Sequence, residues 1–243
     1  QEISNGIKLQ RIMISIQNLQ KVYGNKVVLD IEELYIEKGQ SIGLVGNNGA
    51  GKTTMFRCIL DLIQPKSGIV KLKDFIVSNN EEWKEYTGSY LDEHFLIDFL
   101  TPEEYFYFIG SLYQKSKSEI ADFLKQFFEL FNGEILNQGK YIRDLSKGNQ
   151  KKVGIIAALI GDPEILILDE PFANLDPSTQ IRLKTFLKDL DQNGEVTMLI
   201  SSHDLSHVAD VCGRIVILEK GTLVNDISTN ENTLKELEHF FTQ

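Results

Sequence analysis

The stretch Ser41–Ile63, SIGLVGNNGAGKTTMFRCILDLI, decides how the chain is read. SIGLVG has the composition of a short buried strand, and MFRCILDLI spaces its apolar residues as a helix that must end before Pro65. Between them GNNGAGKT, Gly46 to Thr53, satisfies the pattern GxxxxGK[ST] in full and in the strand, loop, helix context that its mechanism needs. The backbone N–H groups of Gly46, Asn47, Asn48, Gly49, Ala50 and Gly51 can wrap a phosphate at the helix start. Lys52 adds charge at β- and γ-phosphates, and the Thr53 hydroxyl suits Mg²⁺.

A phosphate site of this kind needs a carboxylate at the end of a second buried strand. ILILDEP supplies it: four apolar residues lead into Asp169, placed for the Mg²⁺ shell, and Glu170, placed to polarise an attacking water as general base. Further along, IRLKTFLKDL reads as a helix, VTMLISSH as a strand, and HVADVCGRIVIL as a helix and another strand. Alternation of this kind predicts a mostly parallel α/β sheet. Toward the N-terminus, ISIQNL, KVVLDI and LYIE alternate as strands, with turns at Tyr23-Gly24-Asn25 and Lys38-Gly39. They predict an antiparallel β layer, and GIVKLKDFIV, after the loop and its helix, is a further β segment.

From Phe95 to Phe131 lie 11 of the 23 aromatic residues, in segments of helical periodicity such as TPEEYFYFIGSLY and EIADFLKQFFELF. They predict a helical insertion with its own small core, spanning about residues 93–160. ENTLKELEHFFT predicts a peripheral C-terminal helix at about 230–242. Met13 reads as a natural start, which makes residues 1–12 leader or appended sequence and 13–243 one domain.

Composition narrows the function. A formal net charge of −10 leaves no overall basic surplus for gripping nucleic acid. Two cysteines, Cys58 and Cys212, without CxxC spacing give no disulfide framework or thiolate zinc site and fit a reducing, cytosolic setting. The longest strongly apolar run, Val153–Gly161, is far short of the roughly 20 residues a membrane span needs. Ahead of that run, LSKGNQKK, Leu145 to Lys152, marks a helix start. Ser146 or Asn149 can cap it, and the same geometry can hold an anion.

GNNGAGKTT, LSKGNQKK, ILILDEP, NLD and ISSH stand in the order and approximate spacing seen in ATP-binding cassette (ABC) ATPases, and the chain resembles the nucleotide-binding subunit of an ABC transporter over residues 13 to 225. The resemblance implies a P-loop NTPase fold: a RecA-like α/β core, an N-terminal antiparallel β subdomain and an inserted helical subdomain. It implies ATP and Mg²⁺ as ligands, hydrolysis to ADP and phosphate, and a head-to-tail dimer with a second copy or a homologous ATPase subunit. It also implies a separate integral membrane permease, met at the cytoplasmic face, and no nucleic acid.

By resemblance, Tyr23 stacks on adenine, and Lys52, Thr53 and Thr54 are the phosphate-loop residues. Asp169 and Glu170 are the metal-binding and catalytic acids, Asp176 the aspartate that communicates across the dimer, and His203 the switch histidine at the γ-phosphate. Ser146 and Gly148 face the nucleotide held by the other protomer. Two positions depart from the common pattern. Glu93, with Asp92 adjacent as the alternative, stands where a glutamine is usual, and a carboxylate there can still approach Mg²⁺ or water. LSKGN replaces LSGGQ, so Lys147 either adds charge near a phosphate or points into water. These variants resemble ABC-2-type exporters and imply export. A soluble ABC ATPase acting on ribosomes or DNA is the alternative, though such relatives carry paired cassettes or basic arms. A regulatory cassette without turnover is a third.

Overall fold

The computed structural model describes residues 12–230 and 233–234. Two sheets carry the fold. The smaller has the order β2-β1-β4-β5, all antiparallel, from β1 (Ile12–Tyr23), β2 (Lys26–Glu37), β4 (Ser67–Leu72) and β5 (Phe75–Ile76). The larger has the order β10-β9-β3-β8-β7-β6, with β9 (Arg214–Glu219), β3 (Ser41–Val45), β8 (Thr197–Ser202), β7 (Ile165–Leu168) and β6 (Thr87–Tyr90) parallel. β10 (Thr222–Ser228) returns antiparallel on the edge.

The parallel strands read as continuous apolar runs because both faces are covered. Along β7, Leu166 and Leu168 enter one core while Ile165 and Ile167 enter the other; along β9, Ile215 and Ile217 divide from Val216 and Leu218 in the same way. One core lies under the small sheet and α1 (Lys52–Ile59). The other lies under α2 (Pro102–Leu112), α3 (Lys117–Lys125), α4 (Phe128–Phe131), α5 (Lys147–Ala157), α6 (Pro177–Asn193) and α7 (Leu205–Val211). Each fully buried Leu or Ile contributes about 1.5–3 kcal/mol. A one-residue register slip would exchange the two cores of a strand, so register is strongly set.

Several expectations change in detail. KVVLDI and LYIE form the single strand β2, paired to β1 through the two-residue connection Gly24-Asn25. GIVKLKDFIV divides into β4 and β5, because Lys73 takes a left-handed φ of 51°. The helix after the phosphate loop begins at Lys52, with Met55 N–H donating to Gly51 O at 2.8 Å. It stops at Ile59, ahead of Asp61 at φ 53°. β6 and β10 had no counterpart in the sequence reading.

The aromatic segment does not build a separate core. Phe106, Phe127 and Phe131 belong to the same buried cluster as Ile200 and Ile217 of the sheet, so the helices between β6 and β7 are an extension of the main core. EIADFLKQFFELF is also broken, into α3 and α4. The C-terminal helix falls almost entirely outside the described residues, as do residues 1–11.

The contact of α5 with the sheet leaves no slack. A Cβ on Gly88 of β6 would sit 1.9 Å from Ala158 O and 3.1 Å from Pro163 Cγ. Gly88→Ala is therefore expected to cost about 1–3 kcal/mol of stability through overpacking. Chemical denaturation of the two proteins checks this, and equal midpoints would show that the end of α5 is free to move away.

Candidate active site

Because β3, β6, β7 and β8 are parallel, their C-terminal ends share one edge, where an open α/β sheet presents its crevice. The phosphate loop leaves β3, Glu93 follows β6, Asp169 and Glu170 follow β7, and His203 follows β8. The fold thus gathers side chains more than a hundred residues apart.

The end of the loop is packed closely against β2. Gly51 has φ 114°, a left-handed conformation costly for any side chain, and a Cβ there would strike Leu29 Cδ2 at 2.8 Å and Val28 O at 3.1 Å. Gly46 and Ala50 are buried; Asn47, Asn48 and Gly49 face solvent. Lys52, 7% exposed, donates to Gly46 O at 2.6 Å and lies 3.5 Å from Glu170 Oε1. The first turn of α1 contains no acid, so its N-terminal field is left to an anion. Thr54 lies in the same turn, partly exposed.

Thr53 Oγ1 donates to Asp169 Oδ2 at 2.5 Å, and Ser201 Oγ donates to Asp169 Oδ1. Burial raises the Asp169 pKa, and the two hydroxyl donors and Lys52 counter it. A hydroxyl beside a carboxylate oxygen is the donor set Mg²⁺ uses when phosphate and water complete its shell, so these residues fit the ion. Glu170 stands in a left-handed backbone, φ 48°. Its N–H donates to Ser201 Oγ at 2.9 Å, its carbonyl accepts from Lys151 Nζ at 2.6 Å, and its Oε2 lies 2.8 Å from His203 Nδ1.

Glu93 is met by Lys147 Nζ at 3.2 Å and by the Tyr90 hydroxyl at 3.3 Å. Burial opposes its ionised form, yet hydrogen bonding to its own backbone and to Lys147 leaves its pKa below the ordinary value. Asp92 turns elsewhere, accepting from His94 N at 2.8 Å and pairing with Arg57 at 3.7 Å. Lys147 is exposed and also pairs with Glu93, which links the start of α5 to the loop after β6.

Ser146 caps α5, accepting from Asn149 N at 3.2 Å, and Ser146 and Lys147 are exposed. Gly148 is packed so closely that a Cβ would meet Asn174 O at 2.9 Å. Asp176 is exposed and caps α6 through Ser178 and Thr179, hydroxyl donors that lower its pKa. Tyr23, 50% exposed, ends β1 beside the Gly24-Asn25 turn, with Lys21 Nζ 5.0 Å from its ring centroid. β2, paired to that end of β1, touches Gly51 at Val28 and Leu29, which sets the hairpin against the base of the phosphate loop. Sequence reading missed Ser201, Lys151 and Tyr90. ISSH held a signal for the first of these, and the other two become visible only in three dimensions.

The strand order, the loop after β3 and the paired acids after β7 define the class: a P-loop NTPase with an added antiparallel sheet and an inserted helical region. Residues 29–173 match the family model described as ABC transporter. An uncharacterized ABC transporter ATP-binding protein of Methanocaldococcus jannaschii is 37% identical over 214 residues, covering 87% of this chain and 76% of its own length. The bacitracin transport ATP-binding protein of Enterococcus faecalis is 32% identical over 225 residues, with 92% and 71% covered. A solved dimeric ATP-binding cassette in a post-hydrolysis state, bound to ADP and Pi, matches with TM-score 0.78 at 22% identity, covering 90% of this chain and 99% of that one.

The chain belongs to the ABC transporter family. It is an ATP-binding subunit that hydrolyses ATP to power transport, as the ordered motifs led us to expect. No helix among the described residues is long and apolar enough to cross a membrane.

Proposed function

We propose that the chain acts at the cytoplasmic face of a membrane as half of a head-to-tail dimer, with a second copy or a homologous subunit, and drives export through a separate permease. The observation that carries the reading is the convergence of Lys52, Thr53, Asp169, Glu170 and His203 on one sheet edge. Lys52 and the loop amides hold the β- and γ-phosphates, and Tyr23 takes the adenine. Thr53 and Asp169 would hold Mg²⁺, with Glu93 as a further candidate ligand, and the bound ion would supply charge that offsets the phosphates. As water attacks the γ-phosphorus in line, Glu170 accepts its proton and ADP leaves, while His203 holds Oε2 of Glu170 in place.

The start of α5, Ser146 to Gly148, exposed at Ser146 and Lys147, faces the partner's γ-phosphate, and Asp176 lies at the same junction. The helical subdomain, about 93–160, meets the permease. Phe95, Phe99, Phe108 and Leu112 are between 43% and 63% exposed, far above the usual burial of large apolar side chains, and Phe95 borders a cleft of about 360 Å³ beside β6. The LSKGN signature and Glu93 support export over import.

The test is turnover. The purified full chain, with ATP and Mg²⁺, is expected to release phosphate and to shift to a dimer by sizing. Binding of ATP without turnover, even in membranes containing its permease, would sink the reading.

A further inference from the structure

Lys151 is a cation in an unusual place. It lies on α5, one turn beyond Lys147 and on the same face, yet it is only 5% exposed. Burying an ammonium is costly, and a buried lysine persists where acids and acceptors surround it. Here burial lowers its pKa while Glu93, Glu170 and Asp169 oppose that shift. Its hydrogen bond does not go to any of those carboxylates. Lys151 Nζ donates to the main-chain carbonyl of Glu170 at 2.6 Å, and its ammonium also lies 6.0 Å from the centroid of the Tyr90 ring.

That carbonyl belongs to a strained residue. Glu170 has φ 48°, a left-handed conformation that is costly for a non-glycine residue and persists only where the surroundings over-determine it. Ser201 Oγ fixes its N–H at 2.9 Å. Among the described residues, the one other donor at the carbonyl is Ala173 N, at a long 3.3 Å. Lys151 is thus the short, charge-assisted half of the grip on this peptide.

We propose that Lys151 is a positioning residue for Glu170: by holding its carbonyl, it keeps the backbone turned so that the carboxylate stands between Lys52 and His203. This deepens the proposed function and rests on Glu170 acting as base. It also links the sites of a dimer, because the helix whose start faces the partner's nucleotide grips this chain's own acid one turn later.

The experiment compares Lys151→Met and Lys151→Arg in the full chain. Met keeps most of the apolar stem and removes the donor; Arg restores a charged donor. Lys151→Met is expected to lower kcat about tenfold, equal to about 1.4 kcal/mol, with KM and ATP affinity unchanged, and Lys151→Arg is expected to recover most of that loss. The His203 ring resonances, assigned by comparison with His203→Gln, should move in Lys151→Met and return in Lys151→Arg. A Met variant with wild-type kcat and unmoved His203 resonances overturns the proposal, as does an Arg variant as impaired as Met. If wild type fails to turn over ATP, the catalytic reading fails by itself, and the His203 resonances still decide whether Lys151 holds Glu170.

Discussion

Glu170→Gln is expected to lower kcat by about 10²–10⁴-fold, the range that a positioned general base contributes. The substitution is nearly isosteric, so the amide can keep a contact with His203 Nδ1, now 2.8 Å from Oε2. The backbone grip from Ser201 and Lys151 acts on main-chain atoms and is untouched. What is lost is a negative charge able to accept a proton from water. Removing that charge also relieves repulsion toward the γ-phosphate, so ATP affinity should hold or rise. Sizing in ATP and Mg²⁺ should then show a persistent dimer, and single-turnover phosphate release should be slow. Hydrolysis at the wild-type rate would remove Glu170 from the base role and pass it to another group near His203.

How much of this was legible in the sequence depends on how local the signal is. The phosphate loop is read within eight residues, because one strand, one turn and one helix start contain all of its chemistry. The acids of ILILDEP are equally local: a run that is apolar on both faces must be a central strand, and its end must open on the crevice. Ser201 and Lys151 are not legible that way. Each acts on Glu170 across 31 and 19 residues of sequence, and neither residue type announces a buried bond to a peptide group.

The aromatic segment misled for a related reason. Helical periodicity shows that rings share a face, but it does not say what that face meets. Here Phe106, Phe127 and Phe131 meet the core that runs on to the sheet. Lys147 is the intermediate case. Its charge is plain in the sequence, and its pairing with Glu93 follows only once α5 is laid beside the loop after β6.

Lys52→Ala is expected to weaken ATP binding by about ten- to hundredfold, because one charge-assisted hydrogen bond to phosphate is worth about 1.5–3 kcal/mol. The buried ammonium donates to Gly46 O at 2.6 Å and balances Glu170 at 3.5 Å. Alanine therefore removes the attraction for phosphate and also leaves Glu170 with less positive charge beside it. The second effect sharpens the first, since the nearest acid then repels a γ-phosphate more strongly. ATP should lose more affinity than ADP, and adenosine should lose none, because adenosine has no phosphate for Lys52 to hold and the site proposed for the base is the Tyr23 hairpin. Displacement of a fluorescent nucleotide by ATP, ADP and adenosine measures the three losses separately. Equal losses for all three would mean that the loop had collapsed, and no loss for ATP would place the phosphates somewhere other than Gly46 to Thr53.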